Sequence, residues 1–146
     1  MKAVGRRVSS AWVVVEGGEV GRIGRGLLVL VGVARGDGPA QADALAVRVD
    51  GARLFPGTGG HFHLALGDVG GGALVVSQFT LCGRTDRGRR PSLERAAPPE
   101  EAEPLYERFV ERLRGQGIPV ATGRFGAQMA VHLVNEGPVT CLYEVE

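Results

Sequence analysis

Two short segments carry most of the groups in this chain that could do chemistry. Residues 77–81 (SQFTL) supply two hydroxyls, an amide and an aromatic ring, and residues 135–140 (NEGPVT) contain a Gly-Pro step. Each follows a β-branched, apolar run, residues 73–76 before the first and 131–134 before the second. Both are therefore expected at strand ends, where main chain and polar groups are exposed without disturbing a core. A Gly-Pro step combines free φ with an accessible cis bond. A Ser or Thr nucleophile needs a base within reach. The histidines are His61, His63 and His132, no Asp or Glu is paired with them by spacing, and the G-x-S-x-G elbow is absent. What remains for Ser77, Gln78, Phe79 and Thr80 is a site that uses backbone N–H groups as an oxyanion hole, which needs exposed main chain more than acids and bases. Plain readings stand beside these: a strand end with Phe79 and Leu81 packed inward, and Gly137 and Pro138 as the turn between the last two strands.

The other candidates are weaker. His61 and His63 share a face of any strand that holds them and could ligate a metal, but no carboxylate or cysteine sits beside them, so a solvated strand edge is favoured and no metal or cofactor is expected. Gly70, Gly71 and Gly72 precede a strand rather than a helix, so they read as a turn and not a phosphate loop. The stretch 82–95 carries Arg84, Arg87, Arg89, Arg90 and Arg95 against Asp86 and Glu94. Its place directly after SQFTL makes it a candidate phosphate track, one that would hold an RNA backbone without reading its bases. Phe125 and Met129 are either core or the mouth of the site.

The elements that must position these groups follow from patterning. The 146 residues are enough for one domain with its own core, here expected to span 1–146. A net charge of +1 argues against bulk coating of nucleic acid, and no apolar run approaches a membrane span. Cys82 and Cys141 lack metal-ligand spacing and are too few for a disulfide scaffold, so a reducing cytoplasm is the simplest location. Residues 2–16 alternate as a strand and turn at 16–19 into a second around 20–23. The apolar run 27–34 predicts a strand buried on both faces. A helix is expected over 41–54, with Ala42, Leu45, Ala46 and Val49 on one face, and a second over 100–114 with Ala102, Leu105, Tyr106, Phe109, Val110 and Leu113 on one stripe. Pro56 to Gly60 is expected as a turn, 61–66 as a short strand, 73–81 as the central strand and 82–99 as a loop. Strands around Val120, 129–134 and 139–145 complete an α+β fold, mostly strands with two helices.

These residues resemble the D-aminoacyl-tRNA deacylases of the class with a cis Gly-Pro motif, over essentially the whole chain. The resemblance runs through Arg7 and Val8, GRGLLVLVG at 24–32, SQFTL, TDRGRRPS at 85–92, LYERF at 105–109, TGRF at 122–125 and NEGPVT. It implies a barrel-like, mostly antiparallel or mixed sheet in a homodimer that hydrolyses the ester joining a D-amino acid, or glycine, to the terminal ribose of tRNA. It further implies that Gly137 and Pro138 of one subunit enter the other's site, hold the α-amino group and leave no room for an L side chain. Ser77, Gln78, Phe79 and Thr80 would form the floor, with N–H groups near Phe79 and Thr80 polarising the ester carbonyl. Arg7 would lock the Gly-Pro segment, and Phe125 and Met129 would lie near the adenine pocket. The 2′-hydroxyl of the terminal ribose would help place the attacking water. Aminoacyl-tRNA and a second copy of the chain are thus the implied partners, with no role for DNA or membrane. Departures are Arg6, Cys82, Gly83 and the 61–63 stretch, none within the two motifs. Three alternatives stay open: a noncatalytic RNA-binding module using the arginine loop, a small-ester hydrolase using Thr80 or Ser77 as nucleophile, and the sister deacylase class with a trans Gly-Pro.

Overall fold

Strand β1 (Lys2–Val15) organises the sheet in the computed structural model, which describes residues 1–146. Its β-branched alternation becomes an alternation of buried and half-buried positions. On one side it pairs antiparallel, in succession, with β2 (Gly18–Ile23) and β3 (Gly26–Gly32). On the other side lies the 15-residue β8 (Ala130–Glu144), also antiparallel. Beyond β3 come β6 (Gly72–Ser77) and β7 (Val120–Thr122), both joined in parallel. Parallel neighbours need long crossovers. Helices α1 (Pro39–Gly51) and α2 (Pro99–Gly115) supply them and pack side by side, with Arg108 bridging to both carboxylate oxygens of Asp43 at 2.9 Å. β7 curls back on β2 so closely that a Cβ on Gly21 would stand 2.4 Å from the Thr122 carbonyl oxygen. The sheet is thereby almost a closed barrel.

Two apolar cores result. One lies between the sheet and the helices and contains Leu27, Val29, Val75, Leu45 and Phe109. The other fills the barrel with Val8, Ala11, Val13, Leu28 and Leu74. Alternate residues of β3 and β6 feed different cores, which is why their runs are apolar without interruption. No helix is long and apolar enough to cross a membrane.

The expected elements form, with four differences. The central strand stops at Ser77 instead of running to Leu81. Its last rung is Gln78 N–H to the Val31 carbonyl at 2.7 Å, after which Leu81 N–H turns back on the Gln78 carbonyl and the chain winds into a 3-10 turn, Phe79–Cys82. Residues 56–60 are not merely a turn: β4 (Phe55–Gly57) pairs with β5 (Gly60–Leu64) as a small separate hairpin. The final strands are one strand, β8, because Gly137 and Pro138 bulge from a ladder that continues on both sides. Finally, α1 begins at Pro39 and ends at Gly51, a shift within ordinary fraying, while its four apolar residues are buried as patterned.

Candidate active site

The 3-10 turn after β6 presents the first motif. Ser77 and Gln78 are half-buried, Thr80 is exposed, and Phe79 is 55% exposed rather than packed inward. Gln78 Nε2 donates to Thr80 Oγ1 at 2.5 Å, tying the two polar side chains together. The opening N–H groups of a helical turn have no acceptor within it. Those of Phe79 and Thr80 also donate to no backbone carbonyl in the surrounding turns and loops. They form a pair of free donors at a strand end.

Beside them opens a cavity of about 530 Å³. Ser77, Gln78 and Phe79 form one wall, Phe125 and Met129 another, and the first turn of α2 contributes Pro99 and Ala102. Nine of its fourteen lining residues are hydrophobic and none is ionisable, so it suits a flat apolar group and offers no general acid or base. Tyr106, read from sequence only as part of a helix stripe, supports this wall. Its ring packs on Phe125 with centroids 5.6 Å apart, and its buried hydroxyl donates to the Val75 carbonyl at 2.8 Å. Burial pushes that phenol up to about 12. An aromatic with a polar tip on an otherwise apolar stripe is the signal that marks such a residue.

The second motif sits elsewhere on the same chain. One residue of β1, Arg7, faces four of β8, residues 136–139, between the pairs Arg6–Thr140 and Val8–Asn135. Arg7 Nε donates to the Glu136 carbonyl at 3.2 Å and Nη1 to the Leu54 carbonyl at 2.8 Å. Asn135 clips the base of the bulge through Thr140 Oγ1 at 3.1 Å and Val139 N–H at 3.3 Å. The Gly137–Pro138 bond is cis, and both residues are exposed. Neither lines the cavity. One chain therefore brings Ser77, Gln78, Phe79, Thr80, Phe125 and Met129 together, and separately joins Arg7 to Gly137 and Pro138.

The arginine loop closes on itself through paired N–H to carbonyl bonds of 2.9 Å between Arg84 and Ser92. Arg84 grips Asp86 with two hydrogen bonds of 3.1 and 2.6 Å, which hold that carboxyl below its ordinary range. Arg87, Arg89 and Arg90 stand exposed at the tip with no ion pair. None of the histidines lines the cavity. His63 accepts the Gly59 N–H in the small hairpin, and His132 stacks on Trp12 with ring centroids 5.0 Å apart. A His-activated Ser or Thr is thus not assembled within the chain.

Comparison with known proteins shows the family. A family model described as D-Tyr-tRNA(Tyr) deacylase matches residues 4–144. A D-aminoacyl-tRNA deacylase of Geobacter metallireducens is 55% identical over 144 residues, covering 99% of this chain and 95% of that protein. One from Symbiobacterium thermophilum is 54% identical over 146 residues, covering 100% and 97%. Among solved structures, a c-Myc DNA unwinding element binding protein superposes with a TM-score of 0.95 at 38% identity, covering 100% of this chain and 99% of its own. A probable eukaryotic D-amino acid tRNA deacylase shares the fold, with a TM-score of 0.85 at 17% identity, covering 99% and 98%. Spanning the barrel, both motifs and the loop between them, the match makes the chain a member of the D-Tyr-tRNA(Tyr) deacylase family.

Proposed function

We propose that this protein hydrolyses the ester bond of D-aminoacyl-tRNA, and of glycyl-tRNA, releasing the amino acid and intact tRNA. The observation that carries the reading is a cavity with no ionisable lining residue beside two unpaired backbone donors. Such a site stabilises a developing oxyanion through N–H groups of Phe79 and Thr80, while the terminal ribose 2′-hydroxyl places the attacking water. The adenine lies against Phe125 and Met129. Ser77, Gln78 and Thr80 shape the floor, and Arg87, Arg89 and Arg90, with Arg84, follow the RNA backbone. No cofactor or metal is required for these steps.

Selectivity comes from a second copy of the chain. In a homodimer, Gly137 and Pro138 of one protomer close the other's cavity, their carbonyls taking the α-amino group and their bulk filling the space an L side chain would need. Support comes from the exposure of that bulge, its fixation by Arg7, and the exposed apolar residues Val134 and Leu142 on the same strand. Rejection by lack of room also admits glycine. Its substrate places the protein in the cytoplasm.

The test compares release from D-tyrosyl-, L-tyrosyl- and glycyl-tRNA. Rapid release of the D-amino acid and glycine alone supports the reading. Equal release of the L form removes the chiral filter, and no release from any substrate leaves an RNA-binding module as the better description.

A further inference from the structure

A second basic feature adjoins two residues that line the cavity. The chain leaving β3 and the chain entering α2 form a short antiparallel ladder: Ala97 N–H bonds the Val33 carbonyl at 3.0 Å, Ala34 bridges Ala96, and Arg35 N–H bonds the Arg95 carbonyl at 2.8 Å. Val33 and Ala97, at its inner end, line the cavity. Two residues further out on each side stand Arg35 and Arg95, both exposed. Two extended residues span about 7 Å, comparable with one nucleotide step.

Both guanidiniums carry free donors, and that of Arg35 is also held in place. Arg35 Nε donates to the Glu94 carbonyl at 2.8 Å, which fixes its stem, and neither residue makes an ion pair. Of the neighbouring acids, Asp37 pairs with the amino terminus at 2.9 Å, Glu144 with Lys2 at 3.8 Å and Asp86 with Arg84 at 2.6 Å, while Glu94 and Glu146 make no ion pair. Arg84, by contrast, shares its charge with Asp86 inside the loop. Planar guanidiniums with free donors are suited to bidentate contact with phosphate oxygens.

We propose that Arg35 and Arg95, which line a neighbouring hollow with Lys2 and Met1, form a phosphate clamp beside the cavity, gripping the single-stranded 3′ end of tRNA about one nucleotide before the aminoacylated adenosine. This rests on the deacylase reading above. The clamp holds only RNA that continues past the terminal nucleoside, so its loss weakens tRNA binding and leaves the chemical step alone.

The experiment measures kcat and KM with D-tyrosyl-tRNA and with 3′-O-D-tyrosyl-adenosine, which has no phosphate. It compares wild type, Arg35→Ala/Arg95→Ala, the double Lys variant, and Arg112→Ala. Arg112 lies in the last turn of α2, about 20 Å along the helix from the end that lines the cavity. The double Ala variant should raise KM for the tRNA roughly three- to tenfold and flatten its dependence on log salt by about 1.4, the single-strand value for two phosphates. Its kcat, and both constants for the nucleoside, should stay within about twofold of wild type. The Lys pair should restore most of the salt slope, and Arg112→Ala should match wild type. An unchanged KM and salt slope on tRNA, in an active wild type, overturns the clamp and leaves the deacylase reading standing. Equal losses on tRNA and nucleoside also overturn it, since they indicate a distorted cavity. A wild type inactive on both substrates overturns the deacylase reading and the clamp with it.

Discussion

At the scale of single residues, the site depends on what side chains leave free. Gly137 has φ of +126°, and a Cβ there would stand 3.0 Å from the Val139 amide nitrogen and 3.1 Å from Arg7 Nη2. Gly137→Ala should cost about 1–3 kcal/mol of local strain. The bulge must shift to relieve it, so deacylation of D-tyrosyl-tRNA should fall at least roughly tenfold while the melting transition persists. Initial rates beside a thermal melt check this, and an unimpaired rate would remove the bulge from the site. Thr80 is expected to behave in the opposite way. With no histidine at the cavity to activate its hydroxyl, and its N–H independent of its side chain, Thr80→Ala should keep substantial activity. Abolished turnover in a folded Thr80→Ala protein would instead make the hydroxyl a nucleophile.

Elements set the positions of these groups, and here the close contact of β3 with the 3-10 turn is decisive. A Cβ on Gly32 would lie 2.9 Å from Leu81 Cβ and 3.0 Å from the Gln78 carbonyl oxygen, so the turn bearing the free donors rests on a bare backbone. Gly32→Ala should lift that turn and lower kcat by roughly 10- to 100-fold, as sub-ångström misplacement of catalytic donors does. A kcat equal to wild type would show that the turn tolerates displacement. The helices, the strand order's alternating patterns and the membership of Ser77, Gln78, Phe79 and Thr80 in one exposed segment were legible in the sequence, because each follows from local periodicity. The end of β6 at Ser77 was not, since it is dictated by where its neighbour β3 stops. The continuity of β8 through Gly137 and Pro138 was hidden for a similar reason: a Gly-Pro step reads locally as a turn, whereas the β1 ladder resumes beyond it. Tyr106 and the Arg35–Arg95 ladder also depend on contacts between distant segments, which no spacing reveals.

Across the whole molecule, the separation of the two motifs is the organising fact. The cavity and the Gly-Pro bulge do not meet within one chain, and β8 carries Leu142 with 81% of its surface exposed and Val134 with 53%. Burying such residues in a homodimer would each contribute about 1–3 kcal/mol. Leu142→Lys should therefore shift the protein toward monomer in sedimentation equilibrium and reduce chiral selectivity together with rate. A variant that becomes monomeric yet keeps full D-selective activity would locate the filter within a single chain. The strand also has a kinetic signature. β8 is bonded to β1 along one edge only, whereas β3, and β6 over Ala73–Val75, are covered on both edges and both faces. Amide hydrogens of β3 and of that stretch of β6 should then exchange with deuterated solvent only through global opening, and those on the outer edge of β8 within seconds to minutes when the chain is alone. Protection along β8 that rises with protein concentration would expose pairing between copies, making this one strand a label-free gauge of assembly.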